Sequence, residues 1–418
     1  MKSLILIFTT LIIVSCSFDN KTGIWIDASN VLIENNNDKS INAKNIESSY
    51  EILLGQNEIF NEEKESINRT SFTLEQPIRI NNWFEEYATS NNNVSNYLYS
   101  GKKILISKGS KLNKNNLSTN IVFYEDYLIT HDQKGKIFIY SINLKKKIFV
   151  YDFYKKNFRN FKKKIYLIIN KDILYAADNL GYIYAINLKT KSLIWAKNYR
   201  IPFRSNLKID KEQIFLANQD NVIYSINTYN GEIKWQFATN VAFLKSDFIN
   251  NFVLDKLNNN LFFLNTNGEL YSVSYTKQKI NWTVNFKSSS QINSTDIFIG
   301  KPVVIKNENL VVVTDKKVLN FNKLTGVKSW SFPSDSILKP VVTDNYTYIL
   351  SKSNLLICID NKTGNVLWSK NIFYTLLDQN MMTKTGKFYD LKIVNNKLNL
   401  FSNKGYLLIF NYNSGNLE

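Results

Sequence analysis

The chain has 418 residues, 44% of them hydrophobic and 14% aromatic, which excludes a disordered chain and a small disulfide-stapled scaffold. Two cysteines and a single histidine exclude zinc sites, haem ligation and histidine-based acid/base or nucleophile pairs, all of which need residues this chain lacks. The formal charge of +17 suggests anionic partners, but the lysines are scattered through turns such as "LKKK", "FKKK" and "DKK" with no basic stripe between aromatics, so the expectation is a solvated basic surface near anionic headgroups and no nucleic acid.

At the start, Lys2 precedes an apolar run from Leu4 to Val14, then Ser15 and Cys16. Eleven residues are too few for a bilayer-spanning helix, which needs about twenty, whereas a charged residue followed by a short apolar run reads as an export signal. Ile13-Val14-Ser15-Cys16 resembles the lipobox of bacterial lipoproteins. The resemblance implies that residues 1–15 are a signal peptide, that cleavage leaves Cys16 lipidated, and that acyl chains at roughly 0.8 kcal/mol per buried CH₂ hold the protein on a membrane. Ser17, in place of Asp, implies the outer membrane. A free cysteine in an ordinary secretory signal is the alternative. Cleavage would lower the charge from +17 to +16, since Lys2 is the one charge removed.

Residues 16–75, rich in Asn, Glu, Lys and Ser, show no repeat and read as a largely irregular, lipid-anchored tether. "INNWFEEY" around Trp83 is expected to pack on the rim of the following domain. "SGKKILISKGS", with Ile104 and Ile106 on one face, reads as a strand. His131, at the end of a predicted strand beside Asp132, reads as a surface or turn histidine.

From Gly135 onward one fourteen-step frame recurs. It runs from Gly135 to Phe149, Gly181 to Trp195, Asn221 to Trp235, Gly268 to Trp282, Lys316 to Trp330 and Asn354 to Trp368, and a seventh copy starts at Gly405. Each copy reads as a β-hairpin: an alternating apolar strand, a polar turn, and a short strand ending in an aromatic. Ten steps in, Gly231, Gly326, Gly364 and Gly415 suit a positive φ. Four steps in, Ala185, Ser225, Ser272 and Cys358 are small, as close sheet packing requires, so Cys358 is expected in the core. With Cys16 given to lipid, no intrachain disulfide is expected.

Successive aromatics lie 46, 40, 47, 48 and 38 residues apart, and the stretches between them hold further strand candidates such as "KDILYAAD" and "NLVVVTD", about four strands per repeat. The predicted fold is therefore all-β, a β-propeller of four-stranded blades over residues 76–418, with seven repeats visible and eight possible. The last copy lacks its final strand before Glu418, so closure by an N-terminal strand, "SGKKILISKGS", is expected.

The frame Gly-x-(apolar)-Tyr-Ala-(apolar)-Asn…Thr-Gly-x-(apolar)-x-Trp, seen in "GYIYAINLKTKSLIW" and "NLLICIDNKTGNVLW", resembles the repeat of quinoprotein-type propellers. Together with the lipobox, it resembles the outer-membrane assembly lipoproteins of the BamB family. That resemblance covers residues 76–418 and 1–16. It implies a non-catalytic, cofactor-free scaffold, lipid-anchored at the outer membrane and facing the periplasm. Such a scaffold docks on the POTRA domains of BamA beside the other BAM complex subunits and assists folding and insertion of outer-membrane proteins. Placing the family's contact loops by repeat order selects Leu244 and Lys245 after Trp235, with Asp247 as a rival, and Asp296 after Trp282. Lys245 stands where the family has Arg, and Phe298 or a neighbour replaces a second acid. The family has eight blades against the seven counted here. Two other readings stay open: a quinone-dependent dehydrogenase, which resemblance associates with paired adjacent cysteines and a calcium-binding carboxylate cluster, neither visible here, and an exported propeller that binds a polymer.

Overall fold

The structure, a computed structural model, describes residues 16–19, 24–27, 58–66, 72–101, 117–118, 120–154, 158, 161–242, 248–287, 297–373 and 381–418. The chain divides into two compact units, residues 1–58 and 59–418. In the first, Cys16–Asp19 pairs antiparallel with Ile24–Asp27, Cys16 opposite Asp27.

The second unit is a β-propeller of seven consecutive antiparallel sheets, blades one to seven, at residues 122–151, 165–198, 208–238, 251–285, 304–333, 341–371 and 388–411. Six blades have four strands and the seventh has three. Its fourth position is taken by the chain end, where Leu417 pairs with Phe410 and the Glu418 N–H donates to the Ile409 carbonyl at 2.9 Å. The strand proposed as the closing clasp, with Ile104 and Ile106, lies outside the described residues.

The first strand of each blade lies nearest the axis and touches the first strand of the next, from blade one through blade seven. Both faces of a blade are covered by neighbours, which is why its strands read as nearly continuous apolar runs. The inner strand of blade two, Ile165–Asn170, shows the division. Ile165, Leu167 and Ile169 join an apolar cluster with blade one, while Tyr166 and Ile168 join one with blade three. Period-two alternation thus assigns each side chain to one neighbour or the other. Among the described residues six such clusters join blades one to seven in succession.

The recurring frame is the outer hairpin of each blade. Its terminal aromatic lies directly opposite the small residue: Trp195 pairs with Ala185, Trp235 with Ser225, Trp282 with Ser272 and Trp368 with Cys358, each beside a one-residue register shift. Cys358 is fully buried, as expected. The turn residue ten steps in has positive φ in all seven copies, including Lys145, Lys191 and Gln278. Glycine stands there where a preceding tryptophan needs the space. Gly231, Gly326, Gly364 and Gly415 face the rings or Cβ of Trp195, Trp282, Trp330 and Trp368, and a Cβ on any of them would come within 2.4–2.8 Å of those side chains. Each of these indoles also donates from Nε1 to a carbonyl of the next blade's turn: Thr228 (2.9 Å), Lys323 (3.2 Å), Asn361 (2.7 Å) and Tyr412 (3.2 Å). Trp235 precedes a turn holding Gln278 and donates to Gln213 of its own blade instead.

Trp83 is not on the rim. Residues 83–97 run through the hub and meet the inner edge of all seven blades. The Trp83 N–H donates to the Phe123 carbonyl at 2.7 Å (blade one), and the Phe84 carbonyl accepts from Ile169 at 2.8 Å (blade two). Glu85 pairs with Lys208 of blade three. The Ser90 and Asn91 carbonyls accept from Leu254 at 2.8 Å and Ile305 at 3.1 Å (blades four and five). The Asn93 amide donates to Val342 at 2.7 Å (blade six), and the Tyr97 N–H donates to Ile393 at 2.8 Å (blade seven). Asn92, fully buried, donates to the carbonyls of Phe252 and Val303, both at 2.9 Å. An asparagine-rich segment belongs there because edge strands at a closed hub leave carbonyls and amides that water does not reach.

Part of the expected tether is also seated on the propeller. Lys64 and Ser369, on the outer strand of blade six, exchange backbone hydrogen bonds of 3.0 and 2.9 Å, and Phe60 donates to the Pro333 carbonyl of blade five at 3.1 Å. His131 is buried rather than exposed. Its Nδ1 lies 3.1 Å from the Asp132 carbonyl, and burial lowers its pKa from the usual histidine value.

Two stability measurements follow from these contacts. Gly364→Ala forces a methyl to 2.7 Å from the Trp330 side chain at φ 76°, and is expected to cost about 1–3 kcal/mol, seen as a lower denaturant midpoint at unchanged slope. Glu85→Ala leaves the buried Lys208 ammonium without its carboxylate and is expected to cost about 3–5 kcal/mol, most of it recovered in the double variant with Lys208→Met. A double variant no more stable than Glu85→Ala alone would contradict that role for the pair.

Candidate functional site

Leu244, Lys245, Asp247 and Asp296 lie outside the described residues, but the blade ends that carry their loops are described. The connection from blade three to blade four leaves from Ile233–Ala238 and re-enters at Asn251–Asp255; the next leaves from Lys279–Asn285 and re-enters at Val304–Lys306. Their bases touch. Phe248 of the first and Phe298 of the second meet edge to face at 5.8 Å and 81°, and Phe286 stacks on Phe298 at 6.2 Å. Phe298, which sequence order set in place of an acid, is buried against Gly268 and Gly300 and serves packing.

Beneath the first loop a buried polar network fixes blade three to blade four. Glu269 accepts from Asn240 (2.6 Å), Asn265 (2.9 Å) and Tyr271 (2.7 Å), and Thr266 donates to Asn221 (2.8 Å). Around the loop bases Val241, Ile297 and Ile299 are exposed. A cleft of about 780 Å³ opens between blades four and five, lined by Phe286, Ile297, Phe298 and the lysines 287, 316, 317 and 328. Asp315 also lines this cleft, so its apolar side chains are bordered by charges of both signs with lysine in excess.

The hub holds a second cavity, of about 610 Å³, walled by Trp83, Glu86, Tyr87 and Tyr97 from the central segment and by residues of blades one, five, six and seven. Burial pushes the Glu86 carboxyl up from its usual range, partly offset by a hydrogen bond from Tyr87. Lys392 pairs with Asp390 and lies over the Trp83 ring at 5.0 Å. Burial lowers the pKa of Lys301 and brings that of Lys339 down to about 8. Sequence reasoning passed over these lysines, although "KPVV" occurs at both 301–304 and 339–342 and places Lys301 and Lys339 equivalently in consecutive blades.

Among the described residues no group of three or more His, Cys, Asp or Glu side chains is placed to hold a metal, and no helix is long and apolar enough to cross a membrane. Cys16 lies in the Cys16–Asp19 strand.

Comparison with known proteins bears on this geometry. A curated relative, outer membrane protein assembly factor BamB of Yersinia pestis, is 20% identical over 220 residues, 48% of this chain and 54% of its own length, so the chain spans about half of that relative. The fold is similar to the crystal structure of BamB from Moraxella catarrhalis (TM-score 0.57, 13% identity, 71% of this chain and 86% of that one). It is also similar to a quinohemoprotein alcohol dehydrogenase of Pseudomonas putida (TM-score 0.57, 10% identity, 81% and 72%). At such identities these structures speak for the fold alone. The family model described as outer membrane protein assembly factor BamB matches residues 162–370 and 256–418, which together span well over half of the sequence, and the chain belongs to that family.

Proposed function

We propose that this protein is a non-catalytic scaffold of outer-membrane β-barrel assembly, anchored through lipid on Cys16 to the periplasmic face of the outer membrane and docked on the POTRA domains of BamA. The observation that carries the reading is the contact between Phe248 and Phe298, which ties together the bases of the two loops that family resemblance selects for docking. Leu244 and Lys245 on the first loop and Asp296 on the second are the proposed contacts, with the exposed Val241, Ile297 and Ile299 as the apolar ground around them.

A scaffold reading also agrees with the cysteines. Cys358 is fully buried opposite Trp368, and burial raises its pKa well above that of an ordinary thiol, so it is poorly suited to redox or nucleophilic work. The likeness to a quinohemoprotein enzyme concerns the propeller and brings no activity with it.

Two experiments test this reading. The tagged, lipidated protein, solubilised from outer membranes in detergent, is expected to recover a POTRA-containing barrel protein. Lys245→Glu combined with Asp296→Lys should cut that recovery several-fold with the thermal midpoint unchanged, and undiminished recovery rejects these contacts. Separately, Cys16→Ala should leave the protein absent from the outer-membrane fraction, and its persistence there would sink the lipid anchor.

A further inference from the structure

The charges of the hub cavity do not balance. Its wall carries Lys301, Lys339 and Lys392 with Glu86 and Asp390, and Lys208 and Glu85 lie behind it. Glu85 is bound to Lys208 and Asp390 to Lys392. Glu86, also on the wall, is engaged by Tyr87, and burial pushes its carboxyl up from the usual range. Among the described residues Lys339 Nζ meets only the carbonyl of Pro340, at 3.2 Å, and the opposing charge felt there, Asp390, already holds Lys392. Among the described residues Lys301 has no carboxylate partner, and the charge felt there is another cation, Lys352. Among the described residues, two half-buried ammonium groups at equivalent places in adjacent blades therefore face one cavity, neither with a carboxylate in direct contact.

Half-burying a cation without a partner costs free energy, part of which a lowered pKa relieves and the rest of which a bound anion would offset. The volume of about 610 Å³ suits a small molecule. Tyr389 and Ile121 on the cavity wall are exposed, so the cavity is open to solvent. We propose that the hub binds a small multiply charged oxyanion, bearing carboxylate or phosphate groups, through charge-assisted hydrogen bonds from Lys301 and Lys339. Lys301 lies on the connection between blades four and five, five residues after Asp296, so the site adjoins that loop, but the proposal does not rest on the assembly role.

The test uses the full chain purified in detergent, with citrate and pyrophosphate as probes and KCl-matched buffers as the ionic-strength control. A ligand that binds only the folded state raises its thermal midpoint. Citrate alone raising the midpoint assigns a carboxylate ligand, and pyrophosphate alone a phosphate ligand. Equal responses assign the shared oxyanion chemistry. The rise should vanish in Lys301→Met and in Lys339→Met and persist in Lys146→Met, a change on the exposed outer strand of blade one. Without ligand, Lys339→Met should melt no lower than the parent, because an uncompensated buried charge has been removed. Citrate affinity should fall about fivefold to tenfold from pH 7.5 to pH 9 as Lys339 loses its proton. No midpoint rise above the KCl control with either probe, or a rise that survives in both methionine variants, overturns the proposal.

Discussion

A ring of blades has to close, and here closure depends on one peptide. Among the described residues six of the seven junctions are apolar clusters, each strand giving alternate side chains to the blades on either side. At the junction of blades seven and one, residues 83–97 span the gap. Trp83 pairs with Phe123 of blade one, Tyr97 pairs with Ile393 and Asn395 of blade seven, and the two rings stack at 5.9 Å with Lys392 over the indole. The same peptide supplies hydrogen-bond partners to the inner strands of the blades between, which would otherwise bury an open edge. Because it reaches every blade, its loss would loosen the ring as a whole.

The outer layer is held by a different device, repeated with small variations. A tryptophan from one blade lies against the glycine turn of the next and donates to a carbonyl of that turn, combining apolar contact with a satisfied indole N–H. Positive φ alone does not demand glycine, since Lys145, Lys191 and Gln278 adopt it too. Glycine is required where the arriving indole leaves no room for a Cβ. In blade four the turn keeps a side chain, and the arriving Trp235 bonds within its own blade.

The network around Glu269 and the Phe248–Phe298 contact fix the bases of two neighbouring loops, so residues beyond them are presented from a firm platform. The hub, by contrast, gathers lysines from separate blades into one cavity.

Much of the fold was legible because its signals are local. The fourteen-step frame, the small residue four steps in and the turn ten steps in each answer to strand pleating and backbone dihedrals, and together they led to the propeller, its seven blades and a buried Cys358. The pairing of Lys301 with Lys339 left only a short trace, the repeated "KPVV", because its meaning arises when two blades 38 residues apart in sequence face one cavity. Trp83 is expected on the rim and His131 at the surface or in a turn, whereas Trp83 stands half-buried at the hub and His131 is buried. Asn92 and Asn93 are buried because hub backbone groups need partners, and Asp132 because it accepts from the Lys134 and Lys136 N–H groups of its own turn. By itself, then, the sequence determined the repeating unit, which rests on contacts within one hairpin, and left seven or eight copies open until the sheets were counted. Tertiary structure decided how the ring closes and which lysines remain without a carboxylate in direct contact, because those depend on segments distant in sequence meeting at a common axis.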